Sequence, residues 1–203
     1  MLPDLRYSRE QQEETHRRIL RSVGRGFRSK GFGGVGIDAL AKGAAVTSGA
    51  FYGHFRSKAE AFRSAVTTGM EDLRQAVLGL QGDQGPRWIE ALADFYFTER
   101  VTCDVADGCA LPSLAGEVAR SDAKTKTTFE QAYEQLVAAL AGGLPGGRAD
   151  AEARAIVMTA LFAGGVTLAR AVRHSERRDH IARILRDAVV SCARGAKNGV
   201  KDE

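Results

Sequence analysis

Cysteine is scarce in this chain of 203 residues, with Cys103, Cys109 and Cys192 the only three. An odd number of cysteines without an export signal excludes a disulfide framework and predicts reduced thiols. Cys103 and Cys109 flank Asp104, Asp107 and Gly108 at a spacing that suits neither a zinc ribbon nor a calcium loop. No metal and no cofactor is therefore expected, and small buried or loop thiols are favoured over a redox pair. A continuous apolar run of about eighteen residues is missing, and the opening MLPDLRYSREQQEE is polar and charged. Neither a membrane span nor a secretory leader is expected, which places the protein in the cytoplasm with no membrane partner. Catalytic signatures are absent as well. His16, His54, His174 and His180 are scattered, there is no HExxH, GxSxG or phosphate-cradling glycine motif, and Glu130 with Glu134 reads as a solvated helix face. The chain is not expected to be an enzyme.

What is present is positive charge, unevenly placed. Residues 1–68 hold twelve Lys or Arg against six Asp or Glu, a balance of +6, while the rest of the chain carries −2 of the net +4. Such a basic third suits a polyanionic partner whose binding releases counterions and weakens with salt. Arg6, Arg9, Arg17 and Arg18 could form a basic arm and an early helix face toward a phosphate backbone, although any one arginine is more often simply solvated.

The same third contains GIDALAKGAAVTSGAFYGHF, residues 36–55, followed by Arg56-Ser57-Lys58. Ile37, Leu40 and Ala41 have the spacing of a short amphipathic helix, and Gly43 to Val46 supplies small residues where two helices cross. Thr47 and Ser48 offer capping hydroxyls to a second helix ending near Phe55. Phe51 and Phe55 lie four apart and should face inward, leaving Ser48, Gly49, Ala50, Tyr52, Gly53 and His54 outward. Small residues at the start of that face permit close approach to base edges in a major groove, with Tyr52, His54 and Lys58 reaching phosphates.

ILRSVGRGFRSKGF, GIDALAKGAAV and TSGAFYGHFRSKAEAF together resemble the DNA-binding domain of the TetR family of transcriptional regulators, over about the first third of the chain. Gly31-Phe32, Tyr52-Gly53-His54-Phe55 and Ser57-Lys58 match the family's linked motifs. Two positions depart. Val35-Gly36 stands where the family opens its second helix with Thr or Ser, so the helix start there, Gly36 and Ile37, has only backbone amides to offer DNA. Ala45 stands where the family has a turn glycine, at a cost of about 1 kcal/mol if that backbone is left-handed. Gly24 and Gly26 each forfeit about 1 kcal/mol of helix propensity in the first helix.

The remainder reads as successive helices, for an all-α chain of about nine. A helix capped by Ser57 carries Ala61, Phe62, Ala65, Val66, Met70, Leu73 and Val77 on one face to about Leu80, Gly82 to Pro86 breaks it, and RWIEALADFYFTERV forms the next. A short helix over 111–120, a longer one over 123–140, a GGLPGG loop and two last helices, over 151–172 and after HSERRD, complete the reading. This divides the chain into a helix-turn-helix domain over 13–73 and a helical body over 74–203. The resemblance implies a homodimer through the last two long helices, a palindromic double-stranded DNA operator and release by an unknown small-molecule effector. Trp88, Phe95, Tyr96, Cys103, Cys109, Phe129, Tyr133, Met158 and Phe162 are the candidate effector contacts; together they suit an apolar ligand, and singly each is more often plain core. Gly36, Ala45 and Gly53 also motivate the alternative of a helical sequestering or interaction module whose DNA reader has decayed.

Overall fold

The computed structural model describes residues 5–195, with side chains from residue 11 onward. Among them there are helices and turns and no strand, as the all-α reading expects. The helices are α1 (Leu5–Gly34), α2 (Ile37–Gly43), α3 (Ser48–His54), α4 (Lys58–Gln84), α5 (Trp88–Asp94), α6 (Arg100–Thr102), α7 (Ala110–Ala119), α8 (Ala123–Gly142), α9 (Arg148–Ala171) and α10 (Ser175–Arg194). The side chains of Arg6 and Arg9, assigned above to a basic arm, lie outside the described residues.

Two compact units emerge, and they do not follow the division at residue 73. One comprises Met1–Gly69 with Asp104–Phe129, the other Met70–Cys103 with Glu130–Glu203, so α4 and α8 each contribute to both. The first unit is built on α1. Ile19, Val23 and Phe27 from α1 are completely buried, as are Phe51 and Ala61. Phe27, Phe32 and Phe62 meet edge to face or stacked at 5.1 to 6.0 Å between centroids. Gly31 turns the chain at φ 69° and ψ 174°, a conformation that favours glycine, and so ends the straight run of α1 just where Phe32 must fold back. Gly26 has a different reason to be glycine: a Cβ there would stand 2.4 Å from a Leu40 methyl, so its lost helix propensity is exchanged for a close crossing of α1 and α2. Gly69 likewise admits Ala110, whose Cβ would lie 2.4 Å away.

All seven positions of the predicted apolar stripe on α4, from Ala61 to Val77, are buried. The helix outlasts the reading by one turn, because Gly82 does not break it. Gly85, at φ 50°, and Pro86 do so together. Ser57 and Glu60 start it as a capping box: Glu60 N–H donates to Ser57 Oγ at 3.1 Å and Arg56 N–H to Glu60 Oε2 at 2.8 Å.

In the second unit α9 and α10 run antiparallel and form the main packing pair. The segment expected as one helix after Pro86 is interrupted by a π-helical turn, Phe95–Glu99, where Thr98 Oγ1 donates to the Asp94 carbonyl at 2.5 Å. That extra residue turns both Tyr96 and Phe97 inward. The last helix begins at Ser175, so most of HSERRD is helical rather than a linker. By length and composition α9 is apolar enough to span a membrane, at a mean hydropathy of 1.3, which corrects the expectation that no segment qualifies. It is instead a packed helix here. Met158, Phe162, Val166 and Ala169 are buried, and the buried Arg154 donates to the Ala193 and Pro145 carbonyls while pairing with Asp150 at 2.9 Å.

Ala45 occupies the left-handed region at φ 55°, the one non-glycine residue to do so among those described. Substituting Ala45→Gly should therefore stabilise the protein by up to about 1 kcal/mol, seen as a higher midpoint in urea.

Candidate nucleic-acid interface

α3 is seven residues long, too short to hold its shape alone, and three local devices hold it. Thr47 Oγ1 accepts from Ala50 N–H at 3.1 Å, which makes Thr47 the cap. Ser48, the other candidate cap, instead donates its hydroxyl to Asp38 Oδ1 on α2 at 2.5 Å, locking the two helices together. Phe51 and Phe55 are 0% and 3% exposed, with centroids 5.5 Å apart. Because residues four apart share a face, burying these two aims the rest of the helix outward.

On the outer face Tyr52 is 52% exposed, Gly49, Ala50 and Gly53 are exposed, and Ser48 and His54 are half-buried. A Cβ added at Gly36 or Gly53 would meet nothing within 4 Å, so both glycines leave open space above the backbone. Gly36 caps α2 through its backbone alone, and Ile37 is half-buried behind it. The hydroxyl missing at position 36 is thus replaced by bare amides at a helix start, which remain donors for an anion. Lys58 does not extend freely. Its Nζ sits 4.8 Å from the centre of the Phe32 ring, a cation–π contact worth about 0.5 to 1 kcal/mol at a partly exposed site.

The outward residues from α3 and the chain at Gly36 and Lys58 belong to the first unit. Charge around them is mixed but mostly uncommitted: Arg56 and Lys42 are exposed, and Arg17 forms an exposed pair with Glu14 at 3.0 Å. Three partners were not found by sequence reasoning. Asp38 answers Ser48, Glu60 closes the capping box, and His16 of α1 meets His54 with Nδ1 atoms 3.2 Å apart. The Ser-x-x-Glu spacing would have revealed the second; nothing local signals the other two. Burial, and then the neighbouring His54, push the His16 imidazole below its ordinary value.

The effector candidates fall into two groups. Cys109 and Phe129 belong to the first unit, and Trp88, Phe95, Tyr96, Cys103, Tyr133, Met158 and Phe162 to the second. There Tyr96 and Phe162 stack with centroids 4.1 Å apart, and these two and Met158 are fully buried. Trp88 donates its indole N–H to the Gly143 carbonyl at 3.3 Å, and the Tyr133 and Thr159 hydroxyls lie 2.8 Å apart. Tyr133 also lines an open cavity of about 730 Å³ between α8 and α9 with Val137, Ala141, Leu144 and Ile156.

Residues 24–65, from the middle of α1 through the first part of α4, match the family described as bacterial regulatory proteins, tetR family. That match marks the helix-turn-helix region of this chain as TetR-like. Solved structures similar to this chain share its fold along most of their length. The reduced form of NemR from Escherichia coli is 19% identical with a TM-score of 0.72, over 88% of this chain and 97% of that one. A TetR-family transcriptional regulator from Streptomyces coelicolor is 18% identical at 0.71, covering 90% and 95%, and one from Agrobacterium tumefaciens 14% identical at 0.72, covering 87% and 98%. No curated protein sequence matches. The fold is shared with TetR-family transcriptional regulators.

Two neighbouring substitutions separate support from contact on α3. Phe51→Ala should lower stability by about 3 to 5 kcal/mol in thermal or urea unfolding, whereas Tyr52→Ala should stay within about 0.5 kcal/mol of the parent and lose DNA affinity instead.

Proposed function

We propose that this protein is a cytoplasmic homodimeric repressor that binds a palindromic operator through α3 and leaves it when a small, largely apolar effector binds the helical body. The observation that carries the DNA half of this reading is the division of α3 into an aromatic buried side and a short, open outer side. In that reading Thr47, Ser48, Gly49 and Ala50 approach base edges, Tyr52, Gly53, His54 and Lys58 lie along the phosphates, and Gly36 and Ile37 begin α2 against the backbone of the duplex. Two copies of α3 related by a twofold axis would enter successive major grooves about 34 Å apart.

The dimer reading rests on α9 and α10. Ile156, Val157, Leu168 and Ile184 are 45% to 60% exposed, among the few large apolar side chains left so on this chain. Ala160 and Gly164, also exposed, lie between them on α9. Apolar knobs separated by small residues suit a four-helix bundle with a second copy. Repression, as against activation, is taken from the family.

For the effector, the second unit's aromatic cluster supplies the mechanism. A ligand inserted among Trp88, Phe95, Tyr96, Cys103, Tyr133, Met158 and Phe162 must part the Tyr96–Phe162 stack, so it binds best to a conformation other than this one. A preference of ~1 to 3 kcal/mol for that state would weaken DNA binding about 5- to 150-fold. Cys109 and Phe129, expected in the same set, belong to the first unit and take no part in this reading.

Selection of bound DNA from a random pool tests the whole. Recovery of a palindrome, with affinity that falls steeply as salt is raised, is the expected result; binding without preference over competitor DNA would favour a sequestering module with a decayed reader. Leu168→Glu with Ile184→Glu should convert a dimer into a monomer in sedimentation and abolish operator binding while helix content is retained. Trp88, the single tryptophan, should report an effector by a change in fluorescence at concentrations that release DNA.

A further inference from the structure

His16 and His54 are 38 residues apart in sequence, one in the middle of α1 and the other the last residue of α3. Their rings approach by the nitrogen edge: Nδ1 to Nδ1 is 3.2 Å, the centroids are 5.3 Å apart and the planes are inclined by 31°. Two imidazoles in this arrangement can share either a proton or a cation. Metal–nitrogen bonds of about 2.0 to 2.1 Å meeting at a tetrahedral angle place two ligand nitrogens about 3.3 Å apart, so the pair needs almost no movement to hold an ion. We propose that His16 and His54 together bind one divalent transition-metal ion of the zinc, copper and nickel class.

The surroundings fit such a site. A cavity of about 650 Å³, lined by Gln12, Glu13, Arg17 and Gly53 beside the two histidines, gives an ion a way in and room for water in its remaining positions. Imidazole nitrogen suits these metals, and selectivity for them over magnesium or calcium follows from the donor type. Burial, and then the neighbouring His54, lower the His16 imidazole below its ordinary value, and imidazole ligates in its neutral form. Arg17 opposes a cation there, but Glu14 pairs with it at 3.0 Å and Glu13 adds a carboxylate to the cavity wall. Among the described residues no group of three or more His, Cys, Asp or Glu is assembled for a metal, so two protein bonds hold the ion and affinity is below that of a closed structural site. An ion shared by α1 and the end of α3 ties the two helices and binds the folded chain only, which raises thermal stability. None of this depends on what α3 recognises.

The test is calorimetric titration of Zn²⁺, Ni²⁺ and Cu²⁺ into the untagged full chain at pH 7.5, with melting followed by circular dichroism. One ion per chain is expected, with an upward shift in melting temperature at saturating Zn²⁺. His16→Ala and His54→Gln should each lose at least tenfold in affinity along with that shift, while the parent helix content confirms that both variants fold; His174→Ala should change neither. Binding that survives both substitutions, or no binding at millimolar metal, overturns the proposal.

Discussion

The burial of Phe51 and Phe55 is the constraint on which the outward face of α3 depends. A seven-residue helix has almost no stability of its own, and its rotation about its axis is free until something fixes it. Two aromatic rings on one side, packed in the interior of the first unit, remove that freedom. With those sides committed, each remaining residue has its direction set by the helical period, and the outward side is left to the small Gly49, Ala50 and Gly53 with Tyr52 among them. Phe55 also touches the His16 ring at 5.8 Å between centroids, so the same anchor brings the two histidines into register.

Around this anchor the unit tolerates local departures by satisfying them elsewhere. The left-handed backbone at Ala45 is unfavourable for a residue with a Cβ. Four backbone bonds close the turn regardless: Ala44 N–H donates to Leu40 and Ala41, Ala45 to Lys42, and Val46 to Ala41, at 3.0 to 3.2 Å. Ser48 adds its bond to Asp38 across the same turn. A glycine-poor turn is held by its hydrogen bonds and by packing, and this is why the motif survives without the family's usual residue.

The second unit is organised differently, around α9. Its buried side carries Met158 and Phe162 toward Tyr96, with Gly165 admitting Phe97 and Leu185 so closely that a Cβ would stand 2.7 to 2.8 Å from each. Surface pairs between α10 and the α5 segment, Arg186 with Asp94 at 2.6 Å and Arg194 with Glu90 at 2.9 Å, orient rather than stabilise, since exposed ion pairs contribute little. Arg194 holds the Glu90 carboxyl below its ordinary value. The interior of this unit is therefore aromatic and close-packed while one side of α9 remains apolar and open.

By itself the sequence determined the all-helical class, the turn at Gly43 to Val46, the inward pair Phe51 and Phe55 and the stripe on α4, because each follows from spacing along one helix. The Tyr-x-His-Phe and Ser-Lys pattern carried the family resemblance for the same reason: linked local motifs stay legible where overall identity falls below 20%, as it does in the similar structures described. Only the tertiary structure decided that Ser48 serves Asp38 rather than a cap, that a π turn sends both Tyr96 and Phe97 inward, that residues 104–129 join the first unit, and that His16 meets His54. These are contacts between segments distant in the chain or choices between nearly equal local bonds. Periodicity within a helix says which side a residue faces, but what stands opposite is settled by how the helices cross.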